Sequence, residues 1–237
     1  MDQRYKNMMV VFELNSSMKY LKHGLAEIQK ISASNDFYES VLLFLSSGLE
    51  RLFKLMLCLN FKDEFSRFPS YEELMQKNNG HDIELLKKRV EKICIPISTP
   101  LFLKDDYDII TNDETINQIC KILSEFGKKG RYFNLDVVLG TQQEFEPKAE
   151  WEKIENKILI DYYGETSFYE KLSTNQLDEL YGKSNELLVR RIELFLRAIT
   201  RQFIFGNFSK DSKMYVFEID LFSDIDDKNI GKRNYND

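Results

Sequence analysis

The chain has 237 residues, 43% hydrophobic and 13% aromatic, enough to fill one large domain or two small ones around a packed core. Its 33 Lys and Arg stand against 39 Asp and Glu, a net charge of −6, which excludes a highly basic nucleic-acid-coating protein while leaving room for a local basic face. Four prolines and ten glycines are too few for a linker-rich chain or a turn-dense β-sandwich; collagen-like, disordered and membrane-spanning classes are excluded as well.

The first segment reads two ways. Met8, Val10, Phe12 and Leu14 share one side of an extended strand, and helical continuation into the next element is an equal alternative. The apolar run Met8–Phe12, behind Asp2, Arg4 and Lys6, is too short for a signal peptide, and no 18-residue apolar stretch occurs. A cytoplasmic protein without membrane contact is expected. Ser16–Ser32 places Met18, Leu21, Leu25 and Ile28 at three-to-four spacing, which predicts a helix antiparallel to its successor. Asn35 and Asp36 are cap-type residues, and Phe37–Asn60 then runs without Pro. It is apolar on most faces, and Ser47, Glu50, Arg51 and Lys54 form one narrow polar stripe. That is the pattern of a bundle's central helix.

Ser70-Tyr71-Glu72-Glu73 has capping-box spacing, so a short helix should start at Tyr71 and stop at Asn78-Asn79-Gly80. The next begins near His81-Asp82, carries Ile83, Leu86, Val90 and Ile93, and ends before Pro96 and Pro100. Asn112-Asp113-Glu114 opens a helix with Ile116, Ile119, Leu123 and Phe126 on one side, ended by Gly127 and Gly130. Pro147 suits the first turn of a helix reaching about Tyr162, and Asn185–Phe205 reads as one more. Tyr215, Phe217, Ile219 and Leu221 alternate with Val216, Glu218 and Asp220 as a strand would. The expected architecture is an all-α helical bundle over residues 1–222, with a small strand pair from the two termini as an option. Residues 223–237 read as a polar, frayed tail.

Cys58, Cys94 and Cys120 are odd in number and sit among apolar neighbours, which predicts buried free thiols in a reducing compartment. Neither His23 nor His81 has a partner at a metal-ligand spacing, so no metal and no cofactor is expected. Nucleophile-elbow, Walker A and dinucleotide fingerprints are missing. Gly127-Lys128-Lys129-Gly130 is similar to the backbone clamp of KH domains, but without their strands a cationic turn at a helix C-cap is the better reading.

Four constellations could carry chemistry. Arg190, Arg197 and Arg201 share a narrow sector of the late helix and could hold a phosphate backbone. Glu186 and Glu193 lie four residues before Arg190 and Arg197, so ordinary intrahelical pairs compete with that role. Glu50 and Lys54 form an i,i+4 pair on the polar stripe, read as a structural polar pair that fixes register rather than a cleft lining. His81 at a helix start could act as a neutral imidazole base, or simply cap the turn after Gly80. Lys128, Lys129, Arg131, Tyr132 and Phe133 gather cations and aromatics at a helix end, suiting a stacked base and a paired phosphate, or else an aromatic-anchored loop.

Together, Gly48-Leu49-Glu50…Lys54, Gly80-His81-Asp82-Ile83…Leu86 and Arg131-Tyr132-Phe133-Asn134 resemble the HEPN superfamily of prokaryotic helical domains. Arg197…Arg201-Gln202-Phe203…Gly206 is similar to a late-helix pattern of helical proteins in bacterial defence loci. The resemblance implies a helical bundle, frequent dimerisation, and a place in toxin–antitoxin or anti-phage systems. Its ribonuclease members use an Arg followed after four to six residues by a His. Here neither His23 nor His81 has such an Arg, and the position in question after Arg131 is Asp136. A non-catalytic binding module is therefore expected, taking a protein partner, RNA or both. It should form a homodimer or a tight hetero-complex with a co-encoded protein. RNA contacts would come from Lys128, Lys129, Arg131, Tyr132 and Arg201. The rival is a metal-independent ribonuclease with catalytic His81 and Arg131, aided by Lys54 or Lys129.

Overall fold

The computed structural model describes residues 2–34, 36–75, 80–94, 101–141, 144–206 and 208–237. Every regular element among them is helical. In chain order these are α1 (Gln3–Ile28), α2 (Tyr38–Phe65), α3 (Tyr71–Met75), α4 (Ile83–Ile93), α5 (Leu101–Asn112) and α6 (Glu114–Lys128). A 3-10 turn (Gly130–Tyr132) leads into α7 (Phe133–Val138), then α8 (Pro147–Tyr163), α9 (Glu165–Ser173) and α10 (Leu177–Phe205). A 3-10 segment (Lys210–Glu218) and α11 (Asp220–Ser223) follow. The protein is an all-α helical bundle.

Local chemistry sets the boundaries. Asp2, Asp82 and Asp113 cap α1, α4 and α6 by accepting from the backbone N–H of Arg4, Leu85 and Ile116. The capping box at α3 is reciprocal: Ser70 N–H donates to Glu73 at 2.7 Å, and Glu73 N–H to Ser70 Oγ at 3.3 Å. The stop expected at Asn78-Asn79 and the break at Pro96 and Pro100 lie outside the described residues. Gly206, at φ 67°, closes α10 in the left-handed conformation that a glycine adopts without strain.

The small strand pair does not form. Along α1 the strand set splits, with Val10 and Leu14 buried and Met8 and Phe12 exposed. Burial follows Val10, Leu14, Met18, Leu21, Leu25 and Ile28, a helical period that the extended reading had cut short. The same happens near the other end: Tyr215, Ile219 and Phe222 are buried while Phe217 is 86% exposed. α5 and α9 were not legible in the sequence, and α10 starts eight residues before the predicted Asn185.

α1 and α2 pack closely along their length. A Cβ on Gly24 would lie 2.6 Å from Leu45 Cδ2, and one on Gly48 would lie 2.6 Å from Leu21 Cγ. Ser17 Oγ donates to the Gly48 carbonyl at 2.8 Å across the same seam. On its other sides α2 meets α4 and α6, while α10 packs against α5, α8 and α11. Phe53 of α2 and Phe195 of α10 meet edge to face, 6.3 Å between centroids, joining the two long helices.

Residues 223–237 are docked rather than frayed. Ile225, Ile230 and Tyr235 join the main core. Glu193 of α10, fully buried, takes the Tyr235 hydroxyl at 2.6 Å and also accepts from Gly231 N–H. Lys22 of α1 and Gln29 at its C-cap donate to the carbonyls of Asp237 and Arg233. A polar composition concealed three apolar anchors and a buried acid waiting for donors.

Candidate functional site

The polar stripe of α2 meets the turn before α4. Glu50 contacts His81 Nδ1 at 3.0 Å through one carboxylate oxygen and bonds Lys54 through the other. The Glu50 and Lys54 side chains are only 15% and 16% exposed, whereas His81 is 62% exposed. The stripe is thus a half-buried ion pair with an imidazole held at its solvent edge. That carboxylate fixes the ring through Nδ1, which leaves Nε2 as the nitrogen available to act as acid or base.

A second polar group adjoins it. Asp82 bonds Ser124 Oγ at 2.9 Å and pairs with Lys128 at 2.7 Å, so α4 is fastened to the end of α6. Burial pushes Asp82 up, but the Lys128 ammonium, the Leu85 N–H and the Ser124 hydroxyl together hold it below the usual carboxylate range. Burial likewise works against the charge of Lys128, and Asp82 outweighs it, raising the lysine. Lys128 also reaches Glu125 at 3.4 Å. This cation is already engaged by two acids.

Arg131 lies elsewhere. It lines a pocket of about 350 Å³ together with Phe37, Leu42, Tyr132, Leu135 and Lys148. Leu42 of this pocket and Glu50, which meets His81, are eight residues apart on α2, roughly 12 Å of helix rise, while His81 itself packs beside Gly127, four residues before Arg131. The structure brings Glu50, Lys54 and His81 together. Arg131 shares its pocket with Tyr132. The Arg131 Nε is buried with no hydrogen-bond partner. Carboxylates of Asp36, Glu39 and Glu146 outnumber the cations of Arg131 and Lys148 around this pocket. Lys129 is exposed beside it in sequence.

The late-helix arginines do not form an open row. Arg197 is buried, donates to the Ile225 carbonyl at 3.0 Å and pairs with Asp227. Arg201 binds the buried Asp106 of α5 at 3.3 Å, and burial raises the Asp106 carboxyl against the pull of Arg201. The expected Glu193–Arg197 pairing gives way because the C-terminal segment occupies both residues.

What the sequence reading missed lies around α7. Tyr132, Leu135, Val137, Val138 and Leu139 are 52–80% exposed, and Phe37 at the pocket edge is 69% exposed. Three consecutive apolar residues, Val137-Val138-Leu139 before Gly140, were the available signal. Also unread was Glu155 of α8, 5% exposed, which accepts from Trp151 Nε1 and the Tyr38 hydroxyl. Its i,i+4 spacing from Trp151 put both on one helix face.

Cys94 and Cys120 are buried and Cys58 is half-buried, all free, and burial pushes each thiol up. Among the described residues no three His, Cys, Asp or Glu gather into a metal cage, and no helix is long and apolar enough to cross a membrane. No family model matches the chain, and neither a curated protein nor a solved structure matches it.

Proposed function

We propose that this protein is a HEPN-like, non-catalytic helical binding module of a bacterial defence or toxin–antitoxin system, and that it engages a protein partner through the α7 rim. The observation carrying the reading is the run of exposed apolar side chains Tyr132, Leu135, Val137, Val138 and Leu139, continuous through the Arg131 pocket with Phe37. Exposed apolar clusters of this kind mark protein contacts. Single-stranded RNA calls instead for a positive groove with stacking platforms. Here acids outnumber cations around the pocket, and Lys128 and Arg201 are paired with carboxylates.

A second reading, a metal-independent ribonuclease, draws on the Glu50–His81 contact, which orients an exposed imidazole. Its weakness is that, among the described residues, the cations nearest this turn are already paired, Lys54 with Glu50 and Lys128 with Asp82. Incubation with labelled single-stranded RNA in EDTA at low salt separates the two. The binding-module reading expects no cleavage and no salt-dependent anisotropy change. Cleavage that disappears in His81→Ala would replace it with the ribonuclease.

A further inference from the structure

A second apolar cluster, Leu159, Phe168 and Leu180, stands apart from the main core where α9 packs on α8 and α10. A pocket of about 210 Å³ opens beside it. That is below the roughly 300–1,000 Å³ of sites for drug-sized ligands, so the fit is to a small metabolite. One half is apolar, formed by Leu159, Phe168, Leu172, Leu177 and Leu180. Leu172 and Leu177 are 46% and 38% exposed and form its rim.

The other half is polar, with Glu155 and Ser184 buried at its base and Ser34 and Asn156 exposed at its mouth. It presents Glu152 and Glu155 from α8, and Tyr181 and Ser184 from α10. Ser184 is 1% exposed, and its Oγ has no hydrogen-bond partner. Glu155 receives the Trp151 indole N–H at 3.1 Å and the Tyr38 hydroxyl at 3.3 Å, one donor on each oxygen. A carboxylate carries about four lone-pair sites, so each oxygen can accept once more. No Lys or Arg lines this pocket among the described residues. Lys148 reaches Glu152 at 3.7 Å from outside, which leaves one carboxylate in excess.

We propose that this pocket binds a small amine: a short apolar chain or ring carrying one ammonium group, with the ammonium between Glu155 and the Ser184 hydroxyl and the apolar part against Phe168 and Leu180. The ammonium supplies donors to both the excess carboxylate and the orphaned hydroxyl. An anion of the same shape would face two carboxylates, and a neutral alcohol would satisfy Ser184 without meeting the charge. This site is independent of the α7 rim.

Proton linkage gives the site a signature. Burial raises Glu155 to about 7, against the hydrogen bonds from Tyr38 and Trp151, with Glu152 adding to the rise and Lys148 opposing it. Tyr181, the remaining titratable group facing it, stays a neutral phenol, its own value raised by burial and by Glu155. A bound ammonium stabilises the carboxylate, so binding below pH 7 releases the Glu155 proton to the buffer. Affinity therefore falls about tenfold from pH 8 to pH 6.

The test is calorimetric titration of the full chain with 2-phenylethylamine, with 2-phenylethanol and phenylacetate as neutral and anionic controls. The expected result is saturable binding of the amine, at least tenfold tighter than either control, weakening as pH drops. Glu155→Gln should weaken it at least tenfold and abolish the pH dependence. If that variant loses its helical circular dichroism, Leu177→Trp at the exposed rim serves instead, and should block the amine. No binding at millimolar amine overturns the proposal, and so does an affinity equal to the alcohol's or indifferent to Leu177→Trp.

Discussion

Glu50 holds His81 through one carboxylate oxygen and Lys54 through the other, so a single acid on the polar stripe of α2 ties the turn before α4 to the central helix. Glu50→Ala should destabilise by about 1–3 kcal/mol, because Lys54 is left half-buried without its partner. His81→Gln, at a mostly exposed side chain, should stay within about 0.5 kcal/mol of wild type. Thermal melts of the two variants check the contrast; a neutral Glu50→Ala would mean that water already satisfies the stripe.

The glycine seam between α1 and α2 gives a second expectation. Gly48→Ala improves helix propensity by about 1 kcal/mol. It also drives a methyl to 2.6 Å from Leu21, and overpacking of that kind costs about 1–3 kcal/mol. The net effect should be destabilising, and Gly48→Val worse. Leu52→Ala, at a fully buried position of the same helix, should cost about 2–5 kcal/mol. Urea midpoints with unchanged slope would report these losses. A stabilised Gly48→Ala would show that the helices can part.

The long amphipathic segments were legible because three-to-four spacing survives in sequence whatever packs against it: α2, α4, α6 and α8 begin within a residue or two of expectation. The alternation at Met8–Leu14 misled because residues four apart, such as Val10 and Leu14, share a face in both periods; only the longer run to Ile28 separates them. α9 escaped because Phe168 is its one buried side chain, too little for a period. At the site, Glu50 and Lys54 were readable as neighbours on one helix. That His81 joins them depends on where the turn before α4 lands. No spacing encodes that.

One buried acid, Glu193, takes two of the bonds that dock the C-terminal segment. Tyr235→Phe removes the donor to Glu193 and should cost about 1.5–3 kcal/mol, the range for a hydrogen bond to a charged group. Equilibrium unfolding measures it. A loss no larger than that of an exposed Tyr→Phe control such as Tyr71→Phe would return residues 223–237 to the status of a tail.

Stability should also fall with rising pH through one group. Glu155 sits at about 7 in the folded chain against an ordinary 4.5, so the folded state binds its proton more tightly than the unfolded state does. Its contribution is fully present below the ordinary value, declines as pH climbs between the two, and levels off above about 7. The total is on the order of 3 kcal/mol. The stability difference between wild type and Glu155→Gln, followed from pH 4 to pH 8, isolates this slope; a flat difference would place Glu155 in contact with solvent.

A protein-binding rim at α7 shows itself in light scattering coupled to gel filtration on wild type and Val138→Glu. Val138 is 80% exposed, so the substitution leaves the core alone and should preserve helical circular dichroism. Wild type should elute above its monomer mass at tens of micromolar, as a homodimer or with a copurified protein, and Val138→Glu should run at the 28.1 kDa of one chain. A wild-type protein that runs as a clean monomer, or an assembly that Val138→Glu leaves intact, would contradict it.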